Sequence, residues 1–167
     1  AAVNAGVPMV MTAHVLVPAL DEKNPATLSP AILGLLRTEL NFKGLIITDS
    51  MGMAALKKER TMEEAAIEAM NAGADILLFG ADKGHEETEH FNMYNALLKA
   101  CVEGEIPISR LDDAVRKVLE AKEALGLLQD EWEPHFAPRI APDGAATARE
   151  AALRSITVAR NRSETLQ

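Results

Sequence analysis

The sequence has little of several features that would point to particular classes of protein. Aromatic residues make up only 4% of its 167 residues. The 17 lysines and arginines are outnumbered by 25 aspartates and glutamates, which gives a formal net charge of −8. Few stacking side chains and no basic cluster argue against binding to nucleic acid or to an anionic membrane surface. We therefore expect neither among the partners of this chain.

Cysteine is scarce too, and long apolar runs are missing. Cys101 is the only cysteine, which excludes an internal disulfide and a metal site built on several thiolates. No apolar run reaches the roughly 20 residues that a membrane-spanning helix needs. Residues 1–7 lack the charged start of a signal peptide, and the chain begins without Met. The sequence therefore leaves its compartment unknown, cytoplasmic or exported.

The most informative stretch is residues 44–53, where a short apolar run leads into a carboxylate. The run Leu45–Ile47 predicts a strand buried on both faces, as in a parallel sheet, and Asp49 follows it. In α/β barrels, polar residues at the C-terminal ends of strands carry the chemistry. Asp49 is therefore the leading candidate for a catalytic residue. The alternative is an N-cap for the segment that follows.

Strands and helices alternate along most of the chain. Three segments are typical of strands: Val7–Ala13, Leu45–Thr48 and Asp75–Phe79. A polar loop is predicted over Leu20–Leu28. Four helices are predicted. The first is capped by Ser29 and ended by Asn41 and Gly44, and the second is opened by a capping box at Thr61 and ended at Gly73. The third covers Glu86–Glu103, and the fourth is capped by Ser109 and ended at Gly126. This order, without hairpin signals, predicts parallel βαβ units.

The last two of these helices each carry an apolar stripe. The stripes comprise Tyr94, Leu97, Leu98 and Cys101 on the first helix, and Leu111, Val115, Val118 and Leu125 on the second. Apolar residues at helical spacing face a core. We therefore expect both stripes to be buried.

The alternating pattern ends near residue 128. Residues 129–144 hold several prolines and no periodicity, which predicts a linker or an extended arm. Residues 145–167 begin with a helix over Ala145–Leu153, and Ser155–Ala159 is typical of the start of a strand. We therefore expect a partial (β/α) barrel over 1–128 and, over 145–167, the start of a second domain or a C-terminal extension.

Three strands are too few to close a barrel. A full eight-stranded barrel needs roughly 250 residues, and an open sheet leaves backbone donors and acceptors unpaired at two edges. Either the other strands come from a second polypeptide, or this chain is a fragment of a longer one.

Several motifs occur in the order and at the spacing of a known family. They are MTAHV at 11–15, PALD at 18–21, ITDSM at 47–51, AGAD at 72–75 and LGL at 125–127. Through them the chain resembles glycoside hydrolase family 3, most closely its β-N-acetylhexosaminidase branch. The resemblance implies an α/β fold, the C-terminal portion of a TIM-type (β/α)8 barrel that is incomplete in this chain.

The resemblance also implies a chemistry for Asp49. The aspartate that closes this strand in the family is the nucleophile of a retaining mechanism, which passes through a covalent glycosyl-enzyme intermediate. The implied partner is a carbohydrate, a terminal β-linked N-acetylhexosaminide or a β-glucoside, with no metal and no organic cofactor. The family's acid/base is a histidine on a loop from an earlier part of the barrel, within a Lys-His-Phe-Pro-Gly-His segment that this chain lacks. We therefore expect the chain alone to be inactive.

Two further residues are candidates for binding substrate. His14 follows the first predicted strand, so we expect it near the same face as Asp49. It either lines the pocket and orients Asp49 or substrate, or is a histidine satisfied by backbone groups of its loop. Met51 and Met53 follow Asp49 and could form an adaptable apolar wall for the sugar, although core filling is the commoner use of methionine. We name His14 and Met53 as candidate substrate-binding residues.

Two other functions stay open on the sequence. Gly80 follows the third strand, as in α/β barrels that seat a phosphate on glycine-rich loops. Alternatively, a non-catalytic half-barrel could self-associate through its open sheet edges.

Overall fold

The computed structural model describes residues 2–56, 60–80, 88–129 and 144–156. The chain divides into two compact units, Ala1–Trp132 and Glu133–Gln167. The first unit comprises, in chain order, β1 (Met9–Met11), β2 (Leu16–Val17), β3 (Asp21–Pro25), α1 (Pro30–Thr38), β4 (Leu45–Ser50), α2 (Met62–Ala72), β5 (Ile76–Leu78), α3 (Glu89–Val102) and α4 (Ile108–Ala124). The described part of the second unit is α5 (Gly144–Ser155).

A parallel sheet forms the centre of the first unit. Its strand order is β1-β4-β5, and β1 pairs with β4 from Met9 opposite Leu45 to Met11 opposite Ile47. The apolar side chains of β4 are largely enclosed, with Ile46 fully buried, because β4 has a strand on each side. The parallel βαβ prediction is therefore confirmed, with strands shorter than expected at β1 and β5.

The helix starts of α1 and α2 follow from local sequence. Ser29 accepts a hydrogen bond from the backbone N of Ile32 at 3.2 Å, and Pro30 occupies the first turn. Thr61 and Glu64 form the predicted capping box, and α2 ends before Gly73. The end of α1 comes earlier than predicted, at Thr38. The chain then turns through Asn41, which adopts a φ of 51°.

The prediction of a polar loop over Leu20–Leu28 was wrong in one respect. Within this range lies β3, which pairs with β2 in an antiparallel hairpin. The hairpin gives no alternating pattern since β3 is almost entirely polar. Its shape depends on the Asp21 carboxylate, which accepts from the backbone N atoms of Lys23 and Asn24, both at 2.9 Å, and from the Ser29 hydroxyl at 2.7 Å. A turn of 3-10 helix, Ala26–Leu28, leads from β3 to α1.

The predicted buried stripe of α3 was partly wrong. Tyr94 and Leu98 are 65% and 49% exposed, whereas Met93 and Ala100 are buried. The buried face of α3 is therefore centred on Met93 and Ala100 rather than on the predicted stripe. Its predicted start at Glu86 lies outside the described residues.

The predictions for α4 also need correction. The helix begins at Ile108 behind Pro107, without a side-chain cap, so Ser109 lies in the first turn rather than at the N-cap. Pro107 supplies the restricted φ that starts the helix. Val115 and Leu125 are 48% and 69% exposed, because α4 turns its small Ala114 toward the core cluster around Ile106.

The second unit is described only in its helix. The α5 helix includes Ser155, which was predicted to begin a strand. Most of the predicted linker 129–144 and of the strand Ser155–Ala159 lies outside the described residues. Within the described residues, no helix has both the length and the apolar character required to cross a bilayer.

Candidate active site

Asp49 lies near the C-terminal end of β4, the central strand of the sheet. Its side chain is half-buried between the buried Thr48 and Ser50. The carboxylate Oδ1 accepts a hydrogen bond from the backbone N of Ser50 at 2.8 Å. Asp49 is a strand residue followed by turns, and the next helix is capped by Thr61. The alternative of a helix N-cap at Asp49 was therefore wrong.

An irregularity in the sheet coincides with Asp49. Ile47 pairs with Ile76 and Ser50 pairs with Leu78, so β4 holds one residue more than β5 between these two pairs. Within that interval, the hydroxyl of Thr48 accepts a hydrogen bond from the backbone N of Leu78 at 2.9 Å. A bulge of this kind bends the strand and redirects a side chain. The bulge therefore helps to set the direction in which Asp49 points.

Ser50 is held at several atoms. Its carbonyl accepts from Nε2 of His14 at 2.8 Å and from the backbone N of Met53 at 3.2 Å. Its hydroxyl accepts from the backbone N of Gly80, also at 3.2 Å. Because Gly80 already uses its N–H in this way, that group does not offer the free donor that a phosphate-binding loop needs.

His14 reaches the C-terminal end of the sheet from the segment after β1. Its ring bonds to the Ser50 carbonyl through Nε2 and to the Thr27 hydroxyl through Nδ1, the latter at 2.9 Å. His14 thus contacts the residue next to Asp49, as its position in the sequence led us to expect. Both ring nitrogens are engaged with the protein, so the ring is fixed in one orientation.

The two methionines after Asp49 have different surroundings. Met51 is fully buried in the main core cluster, so it cannot form part of a wall around a sugar. Met53 is 38% exposed and remains the candidate for such a contact.

The pKa of Asp21, near this end of the sheet, is strongly perturbed. Hydrogen bonds from the backbone N of Asn24, the hydroxyl of Ser29 and the backbone N of Lys23 hold the pKa of Asp21 far below its usual value of 3.8. All of these donors belong to the hairpin or to the start of α1. The Asp21 carboxylate therefore holds the hairpin together.

A second cluster, at the opposite end of the sheet, was not foreseen from the sequence. The side chain of Asp75 is fully buried and forms ion pairs with Arg37, Arg110 and Lys117. It also accepts from the backbone N of Ile46 at 2.9 Å. The three cations lie far from Asp75 along the chain, so no local sequence pattern predicts these ion pairs. In α/β barrels this N-terminal end serves stability.

Comparison with known proteins identifies relatives along nearly the whole chain. The model of the glycosyl hydrolase family 3 N-terminal domain matches residues 1–121. A β-N-acetylglucosaminidase/β-glucosidase of Cellulomonas fimi is 34% identical in an alignment that covers 95% of this chain and 29% of that protein. The β-hexosaminidase A of Pseudoalteromonas piscicida is 32% identical over 131 residues, covering 70% of this chain and 22% of that protein.

The fold has a solved counterpart as well. The structure of a family 3 β-N-acetylglucosaminidase from Paenibacillus sp. str. FPU-7 superposes with a TM-score of 0.74 at 33% identity, covering 99% of this chain and 32% of that one. The chain thus spans less than a third of the length of these relatives.

Proposed function

The chain belongs to glycosyl hydrolase family 3, its sheet and helices being part of the TIM-type barrel of that family, and we propose that it carries the nucleophile of a retaining glycosidase, Asp49. The observation that carries the proposal is the position of Asp49. It lies next to the last residue of the central parallel strand, at the end of the sheet where barrel enzymes perform chemistry, and it is only half-buried.

The reaction would proceed in two displacements. A carboxylate oxygen of Asp49 attacks the anomeric carbon while the glycosidic bond breaks, and the leaving oxygen takes a proton from a general acid. Water then attacks the same carbon, gives a proton to the conjugate base and releases Asp49. The hydrogen bond from the Ser50 backbone N to Oδ1 suits this role, since it holds the carboxylate in one orientation.

The general acid/base is the part of the mechanism that we do not assign within this chain. His14 is the histidine nearest to Asp49 in the described structure, yet both of its ring nitrogens are engaged with Ser50 and Thr27. We propose that the acid/base belongs to an upstream region of the barrel. The chain by itself would then be an inactive glycosidase segment.

The names of the relatives support a substrate class. One is named for both β-N-acetylglucosaminidase and β-glucosidase activity, and another for β-hexosaminidase activity. We propose a terminal β-linked N-acetylhexosamine, or a β-glucoside, as the group transferred to Asp49. The half-exposed Met53 would contact the sugar, and His14 would form the wall beside Ser50.

Covalent trapping tests the nucleophile directly. An N-acetylglucosaminyl donor with a ring fluorine and a highly activated leaving group needs no general acid, and the fluorine slows hydrolysis of the intermediate. The full-length gene product is incubated with this donor, and intact mass and peptide mapping locate the adduct. We expect one sugar per chain, bound at Asp49. The matching β-glucosyl donor compares the two sugar classes.

Asp49→Asn is the matched control, since it keeps the shape of the side chain and removes the nucleophile. This variant should remain unlabelled. An adduct on any other residue of the wild-type protein, or labelling of Asp49→Asn at the wild-type rate, would overturn the assignment.

A second, non-catalytic property is favoured by the edge of the sheet. The edge strand β1 exposes Met9 and Met11, at 39% and 54%, and unpaired apolar edges promote association. We propose that the isolated chain self-associates. Light scattering of the separated chain should give a dimer or larger species, and a stable monomer would contradict the proposal.

A further inference from the structure

Thr27 is a buried hydroxyl for which the proposed mechanism has no use. It lies in the 3-10 turn before α1 and is 0% exposed. Its Oγ1 is 2.9 Å from Nδ1 of His14 and 2.8 Å from the hydroxyl of Thr12, which is also buried. A threonine hydroxyl has a single proton to donate, so the direction of these contacts can be worked out.

The direction starts at the Ser50 carbonyl, which can only accept. Nε2 of His14 must therefore carry a proton. In the described structure, the partners of the two ring nitrogens are a carbonyl and a hydroxyl rather than a carboxylate. The tautomer with its single ring proton on Nε2 has a free lone pair on Nδ1. In this tautomer, Thr27 donates its proton to Nδ1, and its oxygen accepts from Thr12.

The result is a directed chain of hydrogen bonds that ends beside Asp49. It runs from Thr12 to Thr27, then to His14, and finally to the Ser50 carbonyl. The backbone of Ser50 joins this carbonyl to its own N–H, which donates to Oδ1 of Asp49. The orientation of the proposed nucleophile is thus connected, through hydrogen bonds and the backbone of one residue, to a hydroxyl outside the sheet.

We propose that Thr27 and His14 form a positioning pair for Asp49. The Thr27 hydroxyl fixes the His14 ring, and the ring fixes the Ser50 carbonyl from which the Asp49 carboxylate takes its direction. This inference rests on the proposed function, in which Asp49 is the nucleophile. It assigns His14 a positioning role, which the ring exerts through the Ser50 carbonyl.

The test uses Thr27→Val and Thr27→Ser in the full-length gene product. Valine keeps the shape of threonine without the hydroxyl, whereas serine keeps the hydroxyl. With an activated donor that lacks the ring fluorine and therefore turns over, we expect Thr27→Val to lower kcat by about 10- to 100-fold at a nearly unchanged KM, because small misplacements of a reacting group have effects of this size. Thr27→Ser should stay within about threefold of the wild type by the same argument.

A second pair of variants tests the other half of the proposal without altering the buried turn. His14→Gln keeps an amide donor near the position of Nε2, and His14→Ala removes it. We expect His14→Gln to retain distinctly more kcat than His14→Ala. Equal losses in these two variants would overturn the positioning role of His14.

Nitrogen-15 spectra of the imidazole rings provide a readout that does not depend on activity. The His14 signals are identified by their loss in His14→Gln. We expect the proton on Nε2 in the wild type and in Thr27→Ser, and a changed Nδ1 shift in Thr27→Val. A proton on Nδ1 with a bare Nε2 in the wild type would overturn the inference.

The kinetic outcomes separate this inference from the proposed function. An adduct at Asp49 that forms equally fast in Thr27→Val and the wild type overturns the positioning pair and leaves the nucleophile in place. A kcat loss in Thr27→Ser as large as in Thr27→Val also overturns it. A wild type without any adduct at Asp49 overturns the proposed function, and the inference with it, even if the nitrogen-15 result is as expected.

Discussion

The two ends of the parallel sheet each hold an aspartate, and the surroundings of these two aspartates differ. Asp49, at the C-terminal end, is half-buried and takes one hydrogen bond from the backbone beside it. Asp75, at the N-terminal end, is fully buried and lies among Arg37, Arg110 and Lys117. Within the described residues, no lysine or arginine forms an ion pair with Asp49.

The difference separates the candidate nucleophile from a structural carboxylate. Around Asp75, both oxygens are occupied by cations and by a backbone N–H, so their lone pairs are committed to holding the helices onto the sheet. Around Asp49, the hydrogen bond that the described residues provide comes from the backbone and fixes the direction of the carboxylate. Burial with charge compensation thus marks the structural aspartate, and oriented partial exposure marks the candidate nucleophile.

Removing the charge of Asp49 should have the largest effect, and it should fall on activity. We expect Asp49→Asn to lower kcat/KM by at least about 1000-fold, as loss of a nucleophile does, while the free energy of unfolding changes by only about 0.5 kcal/mol. Steady-state kinetics and urea denaturation of the full-length gene product measure both. A variant with more than a tenth of wild-type activity would contradict the comparison.

The same substitution at the other end should give the opposite result. We expect Asp75→Asn to lower the free energy of unfolding by about 3–5 kcal/mol, because it leaves three neighbouring cations without their buried partner. Urea denaturation checks this, with Asp49→Asn as the matched control. A change below about 1 kcal/mol would mean that the ion cluster contributes little.

Two glycines, one before β4 and one after β5, allow the packing at the two ends of the sheet to be compared. A Cβ at Gly44, below β4, would lie 2.3 Å from the carbonyl oxygen of Pro8, whereas one at Gly80 would lie 3.1 Å from the Ser50 hydroxyl. We therefore expect Gly44→Ala to destabilise the fold by about 1–3 kcal/mol and Gly80→Ala to cost less than about 1 kcal/mol. Thermal denaturation ranks them, and an equal loss for both would contradict the expectation.

The smallest effect concerns pH. The hydrogen bond from Lys117 is the main reason why the pKa of Asp113 lies below its usual value of 3.8. A carboxylate with a lowered pKa in the folded state adds stability above its unfolded pKa, and this contribution is lost as the pH falls through the folded value. The stability difference between wild type and Asp113→Asn should therefore be constant above about pH 5 and shrink below about pH 4. Urea denaturation at several pH values measures it, and a difference independent of pH would contradict the prediction.

The strands of the sheet and the family could be predicted because their signals are local. The apolar run before Asp49 and the capping box at Thr61 each occupy a few adjacent residues, and both predictions are confirmed. The motifs that carried the family resemblance are equally short. The catalytic role of Asp49 and the substrate contacts of His14 and Met53 remain predictions.

What could not be predicted depends on residues that meet only after folding. The ion cluster brings Arg37, Asp75 and Arg110 together from three separate elements. The orientation of α3, which exposes Tyr94 and buries Met93 and Ala100, is set by its packing against the rest of the fold. The bulge at Asp49 depends on the register of β5, which the sequence of β4 alone does not contain.

The bulge has a consequence for how the sequence can vary. At position 48 a side chain replaces a main-chain acceptor, because the Thr48 hydroxyl receives the backbone N–H of Leu78. We therefore expect position 48 to require a side-chain oxygen that accepts this hydrogen bond, and not only a side chain of the right shape. A library randomised at position 48 and selected for activity should return serine and threonine and reject valine, although valine fills the same volume and is equally suited to a strand.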